Sequence, residues 1–483
     1  MTSAPLTAPP DFADWFSPIL VKELRQGLKT RAFVSIFILV QVVMSLLVGL
    51  QMLSIATGGG PGSMSTFDGF FWALVLIPLL LVMPARGITC VSEEIKANTL
   101  DLVQLTHLSS FRIVLGKWVA LVSQTVLLVA AILPYAVLRY FFGEVDIVQD
   151  MNNIGATLAA SVVLTAGAIA LSSQHLVVRI LIIIAALFTM MSGILGLLFS
   201  RVMGRGATSF MSIDTFWMVG ALTVIYIYLL LEIAASKIAP LSENHAARKR
   251  LLAIVVTIGS VFVTWLGGRD LFEVWIPLTL PLLVLVVMES LCERTVELPS
   301  LYGPYARRGK LWCLAGRVLY PGWATGIVFI TLLTGLMLFI LLFLIPHVAP
   351  SSGPSSSDLE KAMVIIPLLY TSILAPLAVL LWFPRVKQPL WIYLLTQLLF
   401  ALIYMVAAIV AESPGISKID VYPWLSLFPA CALMALLDQD NKELVSIYST
   451  ITGPVCVAIL AYLGFRMFKE FRVIAQLEKA SVE

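Results

Sequence analysis

The sequence has little charge and few of the residues that build enzyme active sites. Only 12% of its 483 residues are charged and only 4 are histidine, whereas 60% are hydrophobic. The mean hydropathy is +0.98. This composition excludes an ordinary soluble domain. Repeated apolar runs of about twenty residues instead predict a polytopic membrane protein.

The motifs of nucleotide, metal and nucleophile chemistry are also missing. No GxxxxGK[ST] loop occurs to cradle phosphates, and the 5 cysteines form no CxxC or Cys/His ligand pattern. Serine, histidine and acidic residues do not converge in a recognisable catalytic pattern. The net charge of +3 is too small to indicate a nucleic-acid partner. We therefore predict no enzymatic activity of the chain itself and no catalytic, cofactor-binding or metal site.

Apolar segments predict an all-α fold with about twelve transmembrane helices in two halves of six. Each half has a long polar loop after its second span, at 86–117 and at 292–320. The residues of these loops differ, so a duplication and an appended second bundle both remain open. A further apolar stretch, 425–437, is too short to cross and is predicted to be re-entrant or interfacial. The predicted spans are 33–53, 70–88, 119–142, 154–173, 178–199, 215–236, 251–267, 274–291, 323–345, 362–382, 389–411 and 444–466.

The distribution of basic residues predicts the orientation. With both termini in the cytosol, the cytosolic flanks hold 24 of the 31 Lys and Arg residues. Cytosolic loops of membrane proteins carry such an excess. The prediction is therefore an N-in, C-in protein.

The N-terminal residues 1–32 predict a tail followed by an interfacial helix. Pro18 suits the first position of a helix. Leu20, Leu24 and Leu28 then recur on one face, and basic residues occupy the others. This pattern is typical of a helix lying in the membrane interface.

The long loop 86–117 predicts a contact with a soluble partner. Its charges exclude it from hydrocarbon. Within it, Ile95, Thr99, Leu102 and Thr106 recur at helical spacing between charged residues. We expect a short amphipathic helix under the membrane.

Several short motifs lie in order along the first half of the chain. One is Lys22-Glu23-Leu24-Arg25, and the others are Glu93-Glu94, Thr99-Leu100-Asp101-Leu102, Leu105-Thr106, Ser109 and Leu115-Gly116-Lys117. Through these motifs, residues 15–240 resemble the permeases of type-2 ABC exporters. The family pattern is an acidic pair, Gly-Thr-Leu-Glu-Leu-Leu, Thr-Pro and Gly-Lys, and the Lys-Glu-Leu-Arg motif is similar to the start of the family's connecting helix. The sequence departs from the family pattern at Asn98 and at His107-Leu108.

The resemblance implies a permease subunit of an ABC exporter in the inner (cytoplasmic) membrane. It would bind no cofactor and would use ATP hydrolysed by a separate ATP-binding cassette ATPase subunit. Membrane lipid is a further expected partner, and a second permease copy is a candidate partner. The implied domains are the segment 1–32, a permease unit 33–240 and a second bundle 241–483. The implied contacts with the ATPase are Lys22, Glu23, Arg25, Glu93, Glu94, Thr99, Asp101, Leu102 and Val103.

Other functions remain open beside this one. An ion-gradient-driven transporter needs titratable residues near the membrane midplane, but Arg139, Glu232, Glu273 and Glu289 all lie near predicted span ends. A membrane scaffold without transport activity is a further alternative. The substrate does not follow from the sequence.

Overall fold

The computed structural model describes residues 18–57, 61–92, 109–141, 147–174, 179–180, 213–240, 242–340, 356–383, 389–411, 425, 428–438 and 442–481. The regular elements in these ranges are all helical, as predicted. Among the described residues, six helices are long and apolar enough to cross a bilayer, which identifies an α-helical membrane protein; the count of twelve spans stays a prediction. The six are Arg31–Ser54, Gly69–Cys90, Ser110–Phe141, Ile147–Ser172, Gly220–Ile238 and Pro389–Ala411.

The chain forms two compact units. The first comprises Met1–Gln174 and Thr223–Pro240, and the second comprises His175–Leu222 and Leu241–Glu483. In the first unit the helices are α1 (Pro18–Lys29), α2 (Arg31–Ala56), α3 (Pro61–Leu76), α4 (Met83–Cys90), α5 (Ser110–Phe141), α6 (Ile147–Ser172) and the part of α7 (Ile213–Ile238) that follows Leu222.

The core of the first unit consists of apolar side chains from α2, α3, α5 and α6. Met44, Phe71, Leu128 and Ile132 are fully buried there. Leu39 on α2 is 63% exposed, as expected for a surface in contact with lipid. The long helices of this unit, such as α2, are apolar on nearly every face, which is typical of membrane spans.

A π-helical turn, Ile77–Val82, joins α3 to α4. Here the Met83 amide donates to the Pro78 carbonyl, five residues earlier. The next amide in this register would belong to Pro84, which has none, so the Leu79 carbonyl loses its helical partner. The hydroxyl of Ser161 on α6 donates to that carbonyl at 2.6 Å. A side chain of a neighbouring helix thus satisfies a backbone carbonyl that Pro84 leaves without a helical donor.

Close packing holds α4 against α6. A Cβ on Gly87 would lie 3.0 Å from the Cβ of Ala168. Small residues permit such an approach of two backbones, as they do in other membrane proteins.

In the second unit the chain forms a folded-back helix, a right-angled corner and a bundle. Its helices are α8 (His245–Cys292), α9 (Pro299–Ala306), α10 (Lys310–Leu319), α11 (Trp323–Phe339), α12 (Ser356–Leu380), α13 (Pro389–Ala411), α14 (Pro429–Asp438) and α15 (Lys442–Ala480).

Helix α8 is a hairpin although its backbone stays helical over 48 residues. Lys249 Nζ lies 3.2 Å from Glu289 Oε2, whereas forty residues of straight helix would separate them by about 60 Å. A Cβ on Gly259 would lie 3.5 Å from the ring of Trp275, so these two residues of α8 also pack against each other. The two arms therefore turn between Gly259 and Trp275, in the region where the sequence predicts the end of one span and the start of the next.

A corner of 99° separates α10 from α11. Gly322 has a φ of +136° there, a conformation that favours glycine. Arg250 is 1% exposed and holds the corner from the start of α8. Its guanidinium donates to the carbonyls of Val318 and Tyr320, each at 2.8 Å, to the Gly322 carbonyl at 3.2 Å and to Thr325 Oγ1 at 3.1 Å. It also forms an ion pair with Glu293 at 2.9 Å.

Both segments that were predicted as long loops contain helix. In 86–117, α4 extends to Cys90 and α5 begins at Ser110, and in 292–320 most residues lie in α9 and α10. Helix α10 leaves Leu311 83% and Leu314 63% exposed. An apolar face at a right angle to α11 fits a helix that lies along the membrane surface.

Part of the stretch 425–437 forms α14. This helix has ten residues, which corresponds to about 15 Å and is too short to cross a bilayer. Cys431 and Ala432 are fully buried in it, in a cluster with α12, α13 and α15. A re-entrant path for this stretch stays a prediction.

Candidate functional site

Helix α1 packs along α5 and is fixed there by an ion pair. Lys117 Nζ lies 3.0 Å from Glu23 Oε1, and the two side chains are 5% and 20% exposed. Gly27 permits the approach, because a Cβ at this position would overlap the side chain of Gln124 on α5. The amphipathic helix that the sequence predicts near residue 18 is therefore present and docked on α5.

Arg86 connects α4 to the same two helices. Its guanidinium donates to Gln124 Oε1 and to Thr30 Oγ1 at 3.1 Å. It also lies over the ring of Phe33, 5.6 Å from the ring centroid. Gln124 is 1% exposed. Three helices thus meet through a partly buried polar network, in which Gln124 is buried, Arg86 is half-buried and Thr30 is exposed.

These residues border a polar cavity of about 510 Å³, which we name the α1–α5 cleft. Its lining contains three basic side chains and one acidic side chain, so it carries a net positive charge. The cleft can hold an anion or an acidic side chain. The lining residues are Lys22, Glu23, Gln26, Gly27, Thr30, Ala32, Arg86, Thr89, Cys90, Lys117, Ala120, Leu121 and Gln124.

The segment 93–108 lies outside the described residues, but the residues that flank it are described. At its start, the amides of Val91 and Ser92 both donate to Ser172 Oγ, at 2.8 and 3.0 Å. At its end, the amides of Arg112 and Ile113 donate to the carbonyl of the residue that precedes α5. Both points of attachment are therefore held by hydrogen bonds.

The predicted contact residues on α1 lie near the cleft. Lys22 is exposed and lines it, Glu23 forms the ion pair with Lys117, and Arg25 is exposed outside the lining. The remaining predicted contacts lie outside the described residues; they are Glu93, Glu94, Thr99, Asp101, Leu102 and Val103.

Sequence reasoning missed three polar residues that build the site: Arg86, Gln124 and Ser172. The sequence pattern places Arg86 at the start of a loop, because an unpaired charge is excluded from hydrocarbon. Gln124 and Ser172 each interrupt a long apolar segment. Polar residues within membrane spans often hydrogen-bond neighbouring helices. Their presence in these two apolar segments is therefore the sequence signal that indicates contacts between helices.

Another buried ion pair lies near the opposite end of α5. Arg139 Nη1 lies 3.1 Å from Asp150 Oδ2 on α6, and both side chains are less than a tenth exposed. The guanidinium also stacks on Phe71, 3.9 Å from the ring centroid. The Arg139–Asp150 pair is neutral as a whole and joins α5 and α6. Glu232 on α7, another ionisable residue near a predicted span end, is fully buried.

Comparison with known proteins adds no relative. The chain matches no protein-family model, no curated protein and no solved structure.

Proposed function

We propose that the chain is the membrane-spanning permease subunit of an ABC-type exporter in the inner membrane. It moves substrate with ATP that a separate ATP-binding cassette subunit hydrolyses. The segment 93–108 contacts that subunit, and α1 contributes to the same contact.

One observation carries the proposal: the ion pair between Glu23 and Lys117. Glu23 belongs to the Lys-Glu-Leu-Arg segment and Lys117 to the Leu-Gly-Lys segment, and both segments entered the resemblance separately. They are 94 residues apart, and their contact in the fold was not part of the sequence pattern. The contact supports the proposal because it joins two segments that each carry part of the resemblance.

The fixed ends of the segment 93–108 provide the mechanical link. A force on this segment is transmitted to α6 through Ser172, whose hydroxyl oxygen accepts hydrogen bonds from the amides of Val91 and Ser92. It reaches α1 through α5 and Lys117. An ATPase that moves the segment therefore acts on several helices of the first unit at once.

The test uses the chain reconstituted in proteoliposomes with an ATP-binding cassette ATPase encoded beside its gene. The chain alone is expected to hydrolyse no ATP, and the complex is expected to hydrolyse ATP at a different rate from the free ATPase. Leu102→Ala combined with Val103→Ala removes two apolar anchors, each of which commonly contributes about 1–3 kcal/mol at an interface. We expect this variant to lose the ATPase while its membrane insertion stays intact.

The matched control is Leu311→Ala combined with Leu314→Ala on α10, where both side chains are exposed. This variant should keep the ATPase bound if the first unit supplies the contact. Normal ATPase binding and stimulation by the Leu102/Val103 variant would refute the proposal. Uptake driven by a proton gradient without the ATPase would favour an ion-coupled transporter instead.

A further inference from the structure

The helices of the second unit enclose an apolar cavity of about 580 Å³. It lies between the two arms of α8 and the helices α11, α12 and α13, with Val256, Leu283, Ile330 and Leu369 among its lining. Ligand pockets of proteins usually measure ~300–1,000 Å³. The cavity is therefore large enough for a ligand.

A second cavity of about 630 Å³ adjoins the first. It lies between α11, α12 and α15, and Thr334, Leu338 and Ile366 line both cavities. The two spaces in series form an elongated volume. Such a shape fits a chain better than a compact molecule.

The lining excludes a charged ligand group. None of the described residues around either cavity is acidic, basic or histidine. An ion without a partner is very costly in such surroundings. Whatever part of a ligand enters must be neutral.

Several hydrogen-bond donors of the lining are already engaged. Tyr393 Oη donates to the Ile373 carbonyl at 2.9 Å, and Thr257 Oγ1 donates to the Ala253 carbonyl at 2.8 Å. Gln397 Nε2 donates to a backbone carbonyl of α12 at 3.1 Å. These groups do not require a polar ligand.

Trp275 differs from these residues. It is 6% exposed and lines the first cavity, and its buried indole Nε1 has no hydrogen-bond acceptor among the described residues. Its ring lies against Gly259, where a Cβ would be 3.5 Å from it. A buried donor without an acceptor is costly, so a ligand that brings one acceptor would gain from this position.

We propose that the second unit binds a neutral apolar chain that carries a hydrogen-bond acceptor, of the class of an acyl ester. The chain occupies the two cavities, and the ester carbonyl accepts from Trp275 Nε1. The site belongs to the second unit alone and does not depend on the ATPase partner.

The experiment uses the full chain purified in detergent and a fatty acid methyl ester that carries a photoreactive diazirine. Peptides that contain 278–288 and 330–340 are expected to be labelled saturably, and unlabelled methyl ester should compete. Exposed residues of α13 such as Leu402 should be labelled in proportion to probe concentration, as at any lipid-facing surface. The same diazirine chain on phosphatidylglycerol separates the sources: saturable labelling by it assigns a membrane lipid, and labelling by the methyl ester alone assigns a single-chain ester.

Two variants test the chemistry. Trp275→Phe keeps most of the ring and removes the N–H donor. We expect the half-saturating concentration of the methyl ester to rise roughly three- to tenfold, the usual worth of one hydrogen bond, and that of a diazirine alkane to stay unchanged. Leu283→Trp fills the first cavity and should abolish saturable labelling by both probes, while Leu402→Trp at an exposed position should not.

Unsaturable labelling spread over exposed helices would overturn the proposal, and so would an unchanged affinity of Trp275→Phe for the ester. Because binding is measured without the ATPase, these outcomes are distinct from a failure of the proposed permease function. A chain that binds the ester but no ATPase would retain this site and lose only the proposed function.

Discussion

Glu23 and Lys117 form an ion pair of 3.0 Å that ties the first described helix, α1, to α5. Glu23→Gln leaves the ammonium of Lys117 in its buried position without this carboxylate. Loss of one partner of a buried pair costs about 3–5 kcal/mol, and the partial exposure of Glu23 points to the lower end of this range. We expect a lower midpoint of thermal unfolding in detergent and faster tryptic cleavage within α1.

The control for that experiment is Lys29→Gln, an exposed position on the same helix. It should change neither the midpoint nor cleavage at the other basic residues of α1. Reversal of the pair, Glu23→Lys with Lys117→Glu, should recover part of the loss. Equal stability of Glu23→Gln and the unchanged protein would show that the pair does not fix α1.

Ser161→Ala tests the π-helical turn. The substitution leaves the Leu79 carbonyl buried without the hydroxyl that donates to it at 2.6 Å. We expect a loss of about 1–3 kcal/mol in unfolding free energy, measured by denaturant titration in micelles. Ser123→Ala is the matched control, because that hydroxyl donates within its own helix, to Val119, and its removal should cost less than 1 kcal/mol or so. A similar loss in both variants would contradict this account of the turn.

Arg250→Lys tests the corner between α10 and α11. A lysine keeps the positive charge but cannot reproduce the planar set of donors that reaches Val318, Tyr320 and Gly322. We expect a loss of roughly 3 kcal/mol or more in unfolding free energy. The exposed neighbour Arg248 provides the control Arg248→Lys, with no expected change. Wild-type stability of Arg250→Lys would mean that charge alone holds the corner.

The ion cluster at the start of α8 predicts a pH dependence. Burial opposes the shift, yet Lys249 and Arg250 together hold the pKa of Glu293 below its ordinary value of 4.5. Burial also lowers the pKa of Lys249, but Glu293 and Glu289 outweigh this effect and raise that pKa above its ordinary value of 10.5. A carboxylate with a lowered pKa stabilises the fold above its ordinary pKa, and this stability is lost as the pH falls through the lowered value. The lysine contribution is lost only at high pH.

The measurement compares unfolding midpoints of the unchanged protein and Glu293→Gln between pH 7 and pH 3. The difference should be large at pH 7 and should shrink below about pH 4.5, as the unfolded chain takes up protons that the folded chain resists. Glu297→Gln, at an exposed position, should show little difference at any pH. A constant difference for Glu293→Gln would contradict the assignment.

The orientation can be tested by thiol labelling of single-cysteine variants. Cys313 is partly exposed, whereas Cys292 is buried, so Cys313 is the better reporter for the side predicted to be cytosolic. Burial and then Glu478 raise the pKa of the Cys313 thiol, so labelling should be run at mildly alkaline pH. We expect Cys313 to react from the cytosolic side and Val148→Cys, at a 63% exposed position, from the outside. The reverse pattern would invert the predicted orientation.

The sequence was sufficient for the all-helical class and for six long apolar helices among the described residues, but not for where those helices end. Hydropathy located the long apolar segments and the short stretch that includes α14. It placed Arg86 and Lys117 in a loop, because hydropathy assigns each charge its full cost in hydrocarbon. The structure lowers that cost with partners distant in sequence, Gln124 for Arg86 and Glu23 for Lys117. No local pattern contains that information, and the same is true of the α1–α5 cleft.

The turn of α8 shows the same limit. Two apolar segments predicted two spans, and contacts such as Lys249 with Glu289 show the chain folding back between them. Hydropathy could not show that the backbone remains helical through the turn. Nor could it show that Arg250 reaches the corner at Gly322, because such a contact depends on the packing of three separate elements.

The hairpin also suggests an order of assembly during synthesis. Lys249 and Arg250 find Glu289 and Glu293 on the other arm of the same hairpin, so these charges meet as soon as the second arm has been made. The carbonyls that Arg250 binds follow soon afterwards in the chain, near Tyr320. The hairpin and the corner can therefore close before α12 to α15 exist, and short sequence separation makes such closure fast. The later helices then fold against a template that has already emerged from the ribosome.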